Sequence, residues 1–309
     1  MLESFLYAAV ISGTPLLFAT LGELITEKAG NLNLGVEGMM LMGAVMGFGV
    51  GLWTGDPILA VLGAIAAGAF GAAIFAYLTV SLRSNQVVTG LALTIFGTGF
   101  ASFIGKSLVG QVTPQPIKDF FRSVEIPVLS DIPLIGPVFF RHDVFIYLGY
   151  LMIILASIYL FKTRKGLNLR AVGENAAAAD ASGINVNLYK YVHIIIGGAL
   201  CGLGGAYLSL VTIPVWQEGV TAGRGWIAVA LVIFASWNPT KAMIGAFLFG
   251  GLDILGFRLQ SMGIHVSQYL IDMLPYIATV AVLILSTRNN KKEDQPPRDL
   301  SVPYFREER

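Results

Sequence analysis

Nine apolar runs separated by short polar breaks organise the chain. They extend over Ser4 to Leu24, Leu34 to Leu52, Pro57 to Leu82, Val87 to Ile104, Asp143 to Phe161, Leu188 to Val211, Trp226 to Trp237, Ala242 to Phe257 and Ser267 to Ser286. About 20 apolar residues make a helix long enough to cross the hydrocarbon core. The pattern therefore predicts an all-α, polytopic transmembrane helical bundle of about nine spans, or eight to ten as the ends shift. The seventh and eighth runs are short and flank Asn238-Pro239-Thr240, where Asn-Pro favours a turn. Residues 1–286 form one transmembrane domain with two long connections. The first, 110–142, contains Pro114, Pro116, Pro127, Pro133 and Pro137 and is expected to be an ordered external cap. The second, 162–187, is expected to face the cytoplasm. The tail, 287–309, is charged, carries Pro296-Pro297, and is expected to be disordered.

Composition narrows the class. Hydrophobic residues make up 55% of the chain and charged residues 13%, about half the roughly 25% charge of a soluble domain. With 36 glycines and a mean hydropathy of +0.72, this suits helices packed closely in a bilayer. A net charge of +1 gives no basic face for nucleic acid. The single cysteine, Cys201, excludes an intramolecular disulfide and a multi-thiol metal site, and His142, His193 and His265 lack metal-ligand spacing. No metal is expected. Positive charge sets orientation. With Lys162 to Lys190 and the tail inside, alternation of nine spans places fourteen of the twenty basic residues in the cytoplasm and Met1 outside.

The cytoplasmic segment contains a short helix with clear ends. Asn175 can cap its start, Ala176 to Ala179 favour helix, and Gly183 can take the left-handed conformation that ends it. From the residues alone this is either an ordinary loop helix or a docking element for a soluble partner.

The stretch Arg170-Ala-Val-Gly-Glu-Asn175, followed by alanines and Ser182-Gly-Ile-Asn-Val186, resembles the coupling loop of permease subunits in the ribose, branched-chain amino acid and nucleoside group of ABC importers. Lys28-Ala-Gly-Asn-Leu-Asn-Leu-Gly-Val-Glu-Gly38, Asn85-Gln-Val-Val-Thr-Gly-Leu-Ala-Leu-Thr94 and Trp226 to Pro239 resemble the nucleoside, or simple-sugar, branch. The resemblance covers nearly the whole chain. It implies a permease of the cell membrane, with its C-terminus cytoplasmic, that translocates nucleosides or a related sugar-containing solute by alternating access. It implies three partners: a cytoplasmic ATP-binding subunit holding ATP and Mg, a second and different permease, and an extracytoplasmic substrate-binding protein. This chain itself holds no cofactor and is no enzyme. In agreement, no G-x-x-x-x-G-K-[ST] phosphate loop occurs in it. The resemblance assigns ATPase coupling to Arg170, Gly173, Glu174, Asn175, Asp180, Gly183 and Ile184.

Polar residues inside a membrane are costly and are candidates for function. Asn31, Asn33 and Glu37 lie in Gly-punctuated sequence suited to a broken helix, and Asn85 and Gln86 open the fourth span. Either these five residues line a substrate pathway or they hold the bundle together through interhelical hydrogen bonds. Asp253 and Arg258, five apart, are read as an ion pair or as a carboxylate beside a snorkelling arginine. Asp272 and Glu37 are the carboxylates that an ion-coupled secondary transporter of a small polar solute, the alternative class, would require.

Overall fold

The computed structural model describes residues 2–213, 215–261, 267–287 and 295–307. Thirteen helices make up the described fold. They are α1 (Leu2–Lys28), α2 (Val36–Thr54), α3 (Pro57–Ala76), α4 (Gln86–Gly105), α5 (Gln115–Phe120), α6 (Ile135–Phe139), α7 (Val144–Lys162), α8 (Arg164–Glu174), α9 (Ala176–Ala181), α10 (Val186–Tyr207), α11 (Arg224–Phe234), α12 (Pro239–Ser261) and α13 (Gln268–Thr287). One π-helical turn extends α3 through Tyr77–Ser81 and another extends α10 through Leu208–Thr212. Side-chain caps fix several starts. Asp56 accepts from Ile58 N and Leu59 N ahead of α3, Asn85 from Val88 N ahead of α4, and Asp143 from Ile146 N ahead of α7.

At the centre is α10, packed against α1, α2 and α3. Small residues permit the approach: a methyl built on Gly43 would overlap Gly202, and one on Gly68 would overlap Gly198. Large apolar residues point outward instead, among them Val88, Ile95 and Phe103 on α4 and Leu151, Ile154 and Ile158 on α7. That is the arrangement expected of a protein whose solvent is lipid. Between α4 and α7, residues 110–142 fold into α5, α6 and a two-stranded antiparallel ribbon of β1 (Val124–Glu125) and β2 (Arg141–His142).

Six helical segments among the described residues are long and apolar enough to cross a membrane: Leu2–Lys28, Val36–Thr54, Pro57–Ser81, Gln86–Gly105, Val144–Lys162 and Val186–Thr212. The chain is a multi-pass membrane protein. Each of the last three predicted spans also falls on a helix, but the seventh is not a full crossing. At 11 residues α11 is about 16 Å long, half of a ~30 Å hydrocarbon core. Its start packs on the beginning of α2, with Gly225 against Glu37, and the adjacent Gly38 packs on Gly97 near the middle of α4.

Candidate functional site

The segment 162–187 contains two helices rather than one. Thr163 accepts from Gly166 N to start α8, and Asn175 Oδ1 accepts from Ala178 N at 2.8 Å to start α9. Gly183, at φ +82°, carries the backbone out of α9 in the left-handed region. One side of this unit is anchored: Val172, Ala176, Ala179 and Val186 are buried together, with Ile184 packed on them. Gly173 lies so close to Lys28 O that a methyl there would overlap it. The other side, with Glu174, Asn175, Ala177, Ala178, Ala181, Ser182 and Gly183, is exposed. Of the coupling candidates, Glu174, Asn175 and Gly183 thus present themselves outward. Arg170, whose guanidinium lies 5.5 Å from the Phe161 ring centroid, Gly173, Asp180 and Ile184 hold the unit in place.

The described part of the tail, 295–307, is folded onto this unit, which corrects the expectation of disorder for those residues. Asp299 N donates to Gly173 O at 2.9 Å, Ala176 N donates to Asp299 Oδ2 at 2.8 Å, and Ser301 N donates to Gly30 O at 3.1 Å. Arg306 pairs with Asp180 at 3.1 Å, Arg83 lies 3.6 Å over the Phe305 ring, and Tyr304 packs on the Val172 cluster. Backbone bonds and two aromatic anchors secure a segment whose average composition is polar.

The break between α1 and α2 is buried. Its amides are held by side chains from elsewhere: Asn33 N donates to Glu23 Oε1 and Leu32 N to Gln86 Oε1, both at 2.8 Å. Asn33 Oδ1 accepts from Gly35 N at 2.9 Å. Glu37 accepts from Thr221 Oγ1 (2.6 Å), Gly223 N (2.9 Å) and Gly225 N (2.6 Å). A carboxylate on the first turn of α2 thereby neutralises the exposed N–H groups at the start of α11. Asn31, 1% exposed, has neither amide atom hydrogen-bonded among the described residues, and Gln86 Nε2 is likewise buried and unbonded. Asn85 is exposed and caps α4. The structure thus joins Asn33, Glu37 and Gln86 to the scaffold of the break, and it sets Asn85 apart.

Two residues of this region escaped the sequence. Glu23 and Glu27, one turn apart on α1, are 0% and 2% exposed. Trp237 Nε1 donates to Glu27, and the Glu23 and Glu27 carboxyl groups face each other in the buried interior. The signal was the i, i+4 pair of carboxylates at the end of an apolar run, but the run seemed to stop at Leu24 whereas α1 continues to Lys28.

Asp253 pairs with Arg224 and not with Arg258. Arg224 Nη2 donates to Asp253 Oδ2 at 2.9 Å, Ser12 Oγ donates to the same oxygen at 2.7 Å, and Arg258 donates to Ser4 Oγ at 2.6 Å. Residues five apart on a helix lie about 140° apart around its axis, so 253 and 258 do not face each other. A cavity of about 280 Å³ opens beside the Arg224–Asp253 pair. The side chain of Asp272 and the whole of His265 lie outside the described residues. Among the described residues no group of three or more His, Cys, Asp or Glu is placed to hold a metal ion.

Comparison with known proteins decides what this scaffold is. Residues 5–283 match the family model of the branched-chain amino acid transport system permease component. The chain belongs to that family. It is a permease subunit of an ATP-driven ABC transporter, in which hydrolysis is the work of a separate subunit, and the ion-coupled alternative falls. A putative glucose ABC transporter permease protein of Haloferax volcanii, TsgC13, is 42% identical over 90% of each chain. NupQ, a guanosine ABC transporter permease protein of Bacillus subtilis, is 36% identical over 98% of this chain and 96% of its own. NupP, a second guanosine ABC transporter permease protein of the same bacterium, is 25% identical over 78% of this chain and 70% of its own. The permease works with an ATPase subunit and a second permease subunit.

Proposed function

We propose that this permease translocates nucleosides, or a related sugar-containing solute, across the cell membrane by alternating access, in a heterodimer with a related but different permease. In this reading α8 and α9 lie in the cytoplasm and meet an ATPase that binds ATP and Mg, while this chain holds no cofactor. The C-terminus is cytoplasmic. An extracytoplasmic binding protein delivers the solute at the opposite end, and nine helices cross or enter the bilayer, with α11 as a half-span.

The observation that carries the reading is the construction of the α8–α9 unit. Its inner side is tied to α1, α10 and the tail, and its outer side presents small residues between capped ends. A partner that moved this unit would move α7 and α10, to which it is joined, and α10 is the central helix. Motion at the surface is thus delivered to the core without passing through a flexible loop. Likeness to two guanosine permeases at unequal identity supports both the cargo and the heterodimer.

The test is reconstitution of this chain with its ATPase and second permease in proteoliposomes, followed by ATP-dependent uptake of labelled guanosine and glucose. Uptake of guanosine is expected. A chain that forms an active transporter only with a second copy of itself would overturn the heterodimer, and uptake of glucose alone would overturn the nucleoside assignment.

A further inference from the structure

Among the polar candidates of the α1–α2 break and α4, Asn33 and Glu37 are occupied by the protein itself, and Asn31 is 1% exposed and closed to a solute, so a site open to a solute is sought at an accessible polar pair. The geometry points to the cavity between α1, α11, α12 and α13, beside the Arg224–Asp253 pair, as a mid-membrane binding site for the ribose moiety and base of a nucleoside. This assignment rests on the importer reading above and gives it a location.

Depth comes first. Ser12 lies about 15 Å along α1 from its start, and Tyr276 about 12 Å along α13, at 1.5 Å per residue. With the helix starts taken at the membrane surface, both positions lie about 12–15 Å deep in a ~30 Å hydrocarbon layer. The chain beside them is not helical: 218–223 forms turns, with Ala222 at φ +47° and Gly223 at φ +81°, before α11 begins. Irregular backbone at that depth is tolerated where it lines a cavity or is buried in protein, and solute sites in transporters lie at such discontinuous helices.

Chemistry comes second. Ala222, Arg224, Ile227, Asp253, Ile271 and Tyr276 line the cavity. The Asp253 side chain is 46% exposed although it sits on a helix within the bundle. Its Oδ2 takes both Ser12 and Arg224, and no hydrogen bond among the described residues falls on Oδ1. Arg224 uses two of its five N–H donors, on Thr221 O and Asp253. An ion pair with zero net charge, one free acceptor oxygen and spare donors suits a neutral solute with hydroxyls, since a charged solute would leave one partner uncompensated. A vicinal diol can donate to Oδ1 while accepting from Arg224. Tyr276, 53% exposed, offers a ring face, and Ile227 and Ile271 offer apolar walls. These favour a solute with a planar base over a bare hexose. The volume, about 280 Å³, is just below the range of about 300–1,000 Å³ for small-molecule pockets, so the cavity has room for no more than one such solute.

The protein supplies its own reporter background, because its one cysteine, Cys201, is buried at 1% exposure. Ala222→Cys adds a single sulfur atom at the cavity wall. In proteoliposomes containing the complete transporter, a hydrophilic methanethiosulfonate reagent is expected to modify this cysteine, and saturating guanosine is expected to slow the reaction at least fivefold. Glucose should leave the rate unchanged. Asp253→Asn should remove most of the protection. Equal labelling with and without guanosine, in a transporter that imports guanosine, would overturn the site and leave the importer reading standing. A transporter that imports no nucleoside would overturn both. Should Ala222→Cys fail to reach the membrane, Asp253→Asn alone decides: a tenfold or greater rise in the guanosine concentration for half-maximal uptake, with the ATPase still bound, supports the site, and an unchanged value refutes it.

Discussion

Two carboxylates flank the start of α11 and are used in opposite ways. Glu37, 7% exposed, has both oxygens occupied by Thr221, Gly223 and Gly225, so it closes the gap between two broken helices. Asp253, 46% exposed in its side chain, has one oxygen shared by Ser12 and Arg224 and the other open to a cavity. Two carboxylates beside the same helix start therefore separate into a tie and a contact, and the distinction lies in how many lone pairs the protein itself fills. An intramembrane carboxylate is a candidate for function by default; counting its partners shows which function.

The comparison breaks most visibly at Glu37. Glu37→Ala leaves two buried donors and one part-buried donor without an acceptor, at about 1–3 kcal/mol for each buried one, so a loss of at least about 2 kcal/mol is expected. The check is the thermal unfolding midpoint in detergent together with uptake, and both should collapse. Asp253→Asn should leave the midpoint close to the original while altering guanosine uptake, because Arg224 and Ser12 retain an oxygen acceptor there. If the two variants unfold alike, Asp253 is a tie as well and the contrast fails.

Next in size is the hinge end of α9. Gly183 sits at φ +82° with no atom within 4 Å of where a Cβ would be, so a substitution there meets backbone strain and no clash. Gly183→Val should cost about 1–2 kcal/mol locally, enough to shift the end of α9 without unfolding the bundle. Guanosine transported per ATP hydrolysed is expected to fall several-fold, with membrane insertion and ATPase binding retained. Unchanged coupling would show that this turn does not carry the motion.

Most of the spans were legible because a bilayer imposes one rule, apolar runs of sufficient length, that needs no knowledge of neighbours. The helix ends at Asn175 and Gly183 were equally local. What escaped depends on distant partners. The start of α11 is held by Gly223 donating to Glu37, 186 residues away in sequence. Glu27 looked like loop because the apolar run ended at Leu24, and only Trp237 explains its burial. Asp253 was read with Arg258 as an ion pair or a carboxylate beside a snorkelling arginine, but helix geometry points the two apart and the ion pair forms with Arg224 from another element. The tail was read as disordered from its composition, yet Asp299, Tyr304 and Phe305 anchor it at three points. Composition averages over such anchors and so conceals them.

The tail gives the smallest effect and the finest comparison, between an ion pair and a backbone cap on the same segment. Arg306 is 75% exposed where it meets Asp180, and an exposed pair of this kind contributes about 0–1 kcal/mol. Asp299 instead accepts from Ala176 N at the start of α9 and donates its own amide to Gly173 O. Replacing a helix cap of this kind by alanine costs about 1 kcal/mol and frees a backbone donor. Arg306→Ala should therefore leave the Ala176 amide protected from hydrogen exchange and uptake unchanged, whereas Asp299→Ala should expose that amide and loosen 295–307 from the α8–α9 unit. If Arg306→Ala alone strips the protection, the tail is held by charge at its end rather than by hydrogen bonds at its middle, and its attachment should then weaken with added salt.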